Sequence, residues 1–297
     1  MRLSLRDHEL GFRRGWPKLM GIVNAGPDSF SDPGPRQLQG LFEAADQLIG
    51  DGAALVDVGG VSGRTDRPAV SDDEEIRRIV PLVELLVARG ALVSVDTWRA
   101  GPARAALEAG AAMINDPSGL TEPAIADLCA EHRAALVITH TRARPKMKEF
   151  PEYGDVVADV TEFLADKIEA ATARGVAPDS LLLDPGLDLG KQVGESVEVL
   201  QRLDELEGLG RPLLLAISRK DFVGAATFRR PAERDAGTLG AIEPAMELPG
   251  AVLRMHDVGG AMDFLRMRRT LRGETTELGA PMLVRLPRRL QREGADA

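Results

Sequence analysis

Short apolar runs recur along the chain, and each ends in a polar or charged residue. They read LMGIVN (19–24), ALVDVGG (54–60), ALVSVDT (91–97), AAMIND (111–116), ALVITH (135–140), LLLDPG (181–186), PLLLAISRK (212–220) and AVLRMHD (251–257). All are rich in Leu or β-branched residues and too short for buried helices. Runs that are apolar on both faces read as strands of a parallel sheet covered on both sides. Helix-like stretches separate most of them. Eight such units predict a single-domain α/β protein, a (β/α)8 TIM barrel over 19–273, with a polar lead-in (1–18) that plugs the bottom and a charged tail (274–297).

The helical signals fit this order. Helix 1 is expected over 38–52 and helix 2 after the capping Ser71, with a bend at Pro81. Helix 3 covers 101–110, helix 4 EPAIADLCAEH, helix 5 155–175, helix 6 195–210 and helix 8 260–273. Helix 7 falls within 221–250, broken by Pro231 and Pro244. A longer insertion, TRARPKMKEFPEYG (141–154), precedes helix 5.

A barrel of this kind builds its active site at the C-terminal strand ends. There the sequence places Asn24, Asp57, Asp96, Asn115, Asp184, Lys220, Arg254 and His256. Asp96, Asn115 and Asp184 offer acceptors and one amide donor, a set suited to a flat heterocycle with amino and ring N–H groups. Alternatively, such carboxylates pair with Arg99 or Lys191. Lys220 could donate to the same ring or pair with Asp184. Arg254 and His256 stand two apart and share one strand face, placed to hold an anion; an acid beside Arg254 is the other reading. Asn24 supplies an oxygen for a hard cation such as Mg2+, or caps a turn. His140 reads as a hydrogen-bonding support.

Composition narrows the function classes. The 297 residues are 44% hydrophobic, enough for a large core, and only 4% aromatic, so aliphatic side chains must pack it. A net charge of −9 argues against a nucleic-acid partner, the basic RLPRRLQR (285–292) notwithstanding. The lone Cys129 permits no internal disulfide and no Cys-based metal site. No run approaches the roughly 20 apolar residues of a membrane span. The first 18 residues hold no apolar core of leader length, so a cytoplasmic protein is expected.

MGIVNAGPDSFSDPG, VDVGGVSGR, VSVDTWRA, INDPSG, ITHT, LLLDPGLDLGK, ISRKDFVG and LRMHDV follow one another from about 19 to 270. In this order they resemble the dihydropteroate synthase family. The resemblance implies a transferase that joins 6-hydroxymethyl-7,8-dihydropterin pyrophosphate to p-aminobenzoate and releases pyrophosphate, with Mg2+. It implies pterin binding by Asp96, Asn115, Asp184 and Lys220, and pyrophosphate binding by Asn24, Asp57, Arg254 and His256, with Asn24 on the metal. Asp96, Lys220, Arg254 and His256 would carry the catalysis. It also implies a homodimer.

Departures from the family pattern cluster on the second substrate's side. Ser62, Gly63 and Arg64 lie in a rewritten loop, in which Val61 replaces an acid. Leu189 replaces a Phe, and Asp221 replaces the Ser that receives p-aminobenzoate's carboxylate. Thr139 and Ala216 are milder changes. A hydrogen bond to a charged group is worth about 1.5–3 kcal/mol. Two carboxylates about 4 Å apart repel by up to about 4 kcal/mol at an effective dielectric near 20. These changes predict weak p-aminobenzoate turnover unless Asp221 sits at the helix start and points away. The alternative functions are a degenerate paralogue that binds pterin without synthase activity and a pterin-binding methyltransferase domain.

Overall fold

The computed structural model describes residues 1–26, 35–61, 70–144, 147 and 149–274. Ser62, Gly63 and Arg64, most of the loop after the first run and the tail from 275 lie outside the described residues. An antiparallel hairpin, β1 (Arg2–Leu5) and β2 (His8–Gly11), opens the chain. The eight apolar runs form β3 (Lys18–Asn24), β4 (Leu55–Gly59), β5 (Val93–Asp96), β6 (Met113–Asp116), β7 (Ala135–Thr139), β8 (Leu181–Asp184), β9 (Leu213–Leu215) and β10 (Ala251–Met255). They pair in parallel in chain order, and β10 closes onto β3. This is the expected TIM barrel.

Helices fill the connections: α1 (Pro35–Gly50), α2 (Asp72–Ala88), α3 (Ala100–Glu108), α4 (Ala124–His132), α5 (Val156–Ala173), α6 (Val193–Gln201), α7 (Asp221–Thr227), α8 (Asp235–Gly240) and α9 (Val258–Leu271). The Ser71 hydroxyl caps α2 by accepting from the Glu74 N–H, as its position predicts, and α2 runs on through Pro81. Two expectations change in detail. The sixth helix ends at Gln201 and continues as a 3-10 turn over Leu203–Leu209. The seventh splits into α7 and α8, and both prolines lie in the first two positions of 3-10 turns, where a missing N–H costs little.

Side chains alternate across each strand. One set (Leu19, Val23, Val56, Val58, Val95, Ile114, Ile138, Leu183, Leu253) packs outward against the helices. At Gly21, in this outward set, a Cβ would lie 2.9 Å from Leu48, so glycine lets α1 dock on β3. The other set faces the barrel axis. At its lower end Met20, Leu55, Met113, Ala135, Val137, Leu182, Leu214 and Val252 cluster with Leu3 and Leu5 of the hairpin. The hairpin thus closes the bottom of the barrel with two fully buried leucines.

Candidate active site

Two residues further along the strands, the same inward set turns polar. Asp57 follows Leu55, Ser94 and Asp96 lie on β5, Asn115 follows Met113, Asp184 follows Leu182 and Arg254 follows Val252. Strand register then brings neighbours level: Asn24 pairs with Gly59, Gly59 with Asp96, Asp96 with Asn115, and Thr139 with Asp184.

Asp57 is the hub of one half. It is fully buried, and both its oxygens are engaged. Oδ1 accepts from the Ser94 hydroxyl at 2.6 Å. Oδ2 accepts from Asn115 Nδ2 at 3.0 Å and from Arg254 Nε at 2.6 Å. Arg254 Nη2 reaches on to Asp96 Oδ2 at 2.9 Å. Of the two readings of Arg254, the structure shows the pairing with acids, to Asp57 and Asp96. Burial works against the guanidinium charge, but Asp57 and Asp96 outweigh it and hold its pKa above the ordinary value. Asp96 experiences the opposite balance. Burial pushes its carboxyl up to about 7, against the pull of Arg254 and with Asp57, Glu75 and Asp116 adding to the rise. Asp57, an expected diphosphate neighbour, is fully buried and orients Asn115 and Arg254.

Asp184 and Lys220 form the other half. Asp184 Oδ1 accepts from the Gly186 N–H at 2.8 Å, and Lys220 Nζ donates to the Leu187 carbonyl at 3.0 Å. Gly186 adopts φ +70°, and a Cβ there would fall 1.9 Å from the His140 carbonyl, so only glycine permits this packing. Burial raises the Asp184 pKa, opposed by the Gly186 N–H and then by Lys220, Lys191 and Arg254. Its carboxyl therefore senses cations from both halves of the rim.

Around these groups stand the remaining candidates. His256 is exposed; its Nδ1 lies 2.9 Å from the Ser218 hydroxyl, which also accepts the His256 N–H at 3.1 Å. Although the residue as a whole is exposed, its ring is shielded against Ser218, and this desolvation, then the charges of Arg219 and Arg254, lowers its pKa to about 4. Asn24 is also exposed. A Cβ on Gly59 would lie 3.7 Å from Asn24 Oδ1 and 4.0 Å from Asp96 Oδ2, so both oxygens overlook a position without a side chain. Among the described residues no group of three or more His, Cys, Asp or Glu is arranged around a cation. Mg2+ commonly takes one or two protein oxygens and completes its shell with phosphate and water. A single amide oxygen beside a carboxylate fits that style of binding.

Of the residues expected to line a second-substrate pocket, Leu189 is half-buried. Asp221 begins α7, its carboxylate is 75% exposed, and Arg234 Nη1 pairs with it at 3.1 Å. Its backbone N–H donates to Asp188 Oδ2 at 2.5 Å. An exposed, paired acid repels far less than a buried one, so the penalty expected from the sequence shrinks.

The sequence reading missed several supports. Ser94, which interrupts the apolar run VSVD, was the signal for a bond to Asp57. Arg99 pairs with Glu75 and, at 2.7 Å, with Asp72, not with a strand-end acid. Lys191 is buried against His140, and only the fold reveals that. No helix of the described residues is long and apolar enough to cross a membrane.

The family model of pterin binding enzymes matches residues 20–256. A dihydropteroate synthase from Synechocystis sp. is 38% identical over 245 residues, 81% of this chain and 85% of that one. The structure of Xanthomonas albilineans dihydropteroate synthase with 4-aminobenzoic acid superposes with a TM-score of 0.84 at 38% identity, covering 92% of this chain and 99% of that one. The same enzyme in complex with 7,8-dihydropteroate superposes with a TM-score of 0.82 at 38% identity, again over 92% and 99%. Barrel and relatives agree over nearly the whole described chain, and the protein belongs to the dihydropteroate synthase family.

Proposed function

We propose that the chain condenses 6-hydroxymethyl-7,8-dihydropterin pyrophosphate with p-aminobenzoate and releases pyrophosphate. The observation that carries this is the convergence of Asp96, Asn115, Asp184 and Lys220 on one inward rim of a dihydropteroate synthase family barrel. Asn115, held by Asp57, and Asp184, held by Gly186, meet the amino and ring N–H groups of the pterin. Lys220 donates to its ring nitrogen or exocyclic oxygen.

In the reaction the bond between the pterin methylene carbon and the diphosphate oxygen breaks, and its electron pair leaves with the diphosphate. Asp96 and the electron-rich ring stabilise the cationic methylene. The arylamine nitrogen then forms the new C–N bond and loses a proton. Arg254 and His256 receive the departing charge. Arg254 is preorganised for this by Asp57, because a fixed cation needs no reorganisation when charge develops. Asn24 would hold Mg2+ with the diphosphate, where the ion neutralises the leaving group. Little general acid–base work is needed.

A degenerate, inactive copy is not favoured: the curated relatives at 36–38% identity are dihydropteroate synthases, and Asp221 is exposed and paired. Among the described residues, Leu189 is the altered position expected to line the p-aminobenzoate pocket. The methyltransferase reading lacks an equivalent use for Arg254 and His256. A homodimer in the cytoplasm completes the proposal. The test is a coupled assay for pyrophosphate release with and without p-aminobenzoate, beside calorimetry with the pterin pyrophosphate. Release that depends on p-aminobenzoate is expected; a folded sample giving no binding heat would overturn the reading.

A further inference from the structure

Lys191 ends the β8 loop and is only 2% exposed. Its ammonium donates to the Gly186 carbonyl at 3.0 Å and to His140 Nδ1 at 2.6 Å, with the His140 and Leu189 carbonyls at 3.4 Å. Burial lowers the Lys191 pKa to about 7. With its proton on, Lys191 has only donors, so Nδ1 accepts and the proton of the neutral imidazole sits on Nε2. There it faces Asp159 Oδ1 on α5 at 2.9 Å. Arg142 pairs with the other Asp159 oxygen at 2.6 Å. Phe163 stands edge-on to the imidazole at 4.9 Å, and the Tyr153 hydroxyl donates to the Gly190 carbonyl at 2.9 Å. The insertion over 141–154 thus supplies Arg142 and Tyr153 to the outer end of this chain of contacts.

The segment so held is the one that serves the pterin. It carries Asp184, the Gly186 N–H that fixes the Asp184 carboxylate, and the Leu187 carbonyl that receives Lys220. A buried cation costs more than an apolar side chain of the same length. A plug alone would be better made by Leu or Met. We propose that Lys191 is a positioning residue: through Gly186, Leu189 and the His140–Asp159 pair it locks the β8 loop so that Asp184 and Lys220 meet the pterin ring in one geometry. This inference rests on the pterin-binding reading above and assigns a role to residues outside the ring contacts.

The test is Lys191→Met in the full chain, read in two ways. Calorimetry with the pterin pyrophosphate should show affinity weakened about 10- to 100-fold, the scale of a misplaced binding group. Amide exchange in the free protein should quicken at Gly186 and Leu189 by about tenfold or more, with β4 and β5 unchanged. Ile125→Val, a buried change on α4 away from the rim, should leave both readouts within about twofold. If the loop loosens while pterin affinity holds, or the loop does not loosen, the inference is overturned and Lys191 is only structural. If Lys191→Met does not fold, His140→Gln, which keeps an oxygen for the ammonium, is read the same way. Failure of the wild-type chain to bind the pterin pyrophosphate would instead overturn the proposed function, and this inference with it.

Discussion

The lower and upper halves of the barrel interior are built from the same strands and the same inward positions, yet their chemistry is opposite. Below, Met20, Leu55, Met113, Leu182 and Val252 pack with Leu3 and Leu5 into a dry plug. One inward position higher, Asp57, Asn115, Asp184 and Arg254 face one another in the same lumen. The lower layer is a conventional core, in which each side chain adds burial and no polar group needs a partner. The upper layer spends stability. Buried carboxylates and a buried guanidinium must be desolvated, and their mutual pairing at best offsets that cost. The raised pKa values of Asp96 and Asp184 express the same burden. A barrel can carry such a layer because the rest of the fold, from the plug to the helix-facing set, supports it.

The sharpest challenge to this division is Asp57, which belongs to the site yet supports structure. Asp57→Ala leaves Asn115, Ser94 and the Arg254 Nε without their acceptor, and Arg254 keeps only Asp96. Breaking a buried ion pair from one side costs about 3–5 kcal/mol, so urea unfolding should report a loss of that size together with a collapse of turnover. Unchanged stability would mean that the upper layer does not bear on the fold at this point.

Met113→Ala tests the lower layer. It should destabilise by about 2–5 kcal/mol through lost burial and a cavity, with turnover per folded molecule unchanged. A fall in kcat/KM without a fall in stability would erase the distinction between the halves. Asp184→Asn is its counterpart above. The amide keeps the shape and removes a charged acceptor whose bonds are each worth about 1.5–3 kcal/mol. Pterin affinity by calorimetry should fall about a hundredfold, while the unfolding midpoint stays level or rises.

A pH experiment separates burial from chemistry. Burial, and then the Lys191 charge, lower the His140 pKa from 6.5 to about 4. Between those values the unfolded chain binds a proton that the folded chain refuses. Its contribution to stability is therefore present above pH 6.5 and lost as pH falls through 4. Urea unfolding across that range should show a steeper acid loss in the wild type than in His140→Gln, by at most one proton. The smallest effect is expected at Asp221. Because its carboxylate is exposed and paired with Arg234, Asp221→Ser should lower KM for p-aminobenzoate by less than about tenfold. A larger gain would restore the strong repulsion that the sequence suggested.

The strands were legible because each is a local signal, an apolar run with a polar end. The alternation within a run even tells that Asp57 shares the face of Leu55, and Arg254 that of Val252. Ser71 announced its helix in the same local way. Helix 6 was read too long because its apolar pattern continues after Gln201, where the backbone tightens into a 3-10 turn. Arg254 and Lys220 each admit two readings, since a strand-end cation can face a ligand or an acid and no nearby residue decides between them. Lys191 looked like any charge in a loop, and nothing within a few residues of it hints at His140 or Asp159.

The sequence by itself thus determined the number and chain order of the barrel strands and the alternation of faces along each. Tertiary structure alone decided who meets whom across the rim. Arg254 and Asp57 are 197 positions apart and Arg254 and Asp96 158, and they touch only because β10 closes on β3. Alternation along a strand follows from backbone geometry over two residues. Pairing across the lumen depends on ring closure and register, which no local stretch of chain encodes.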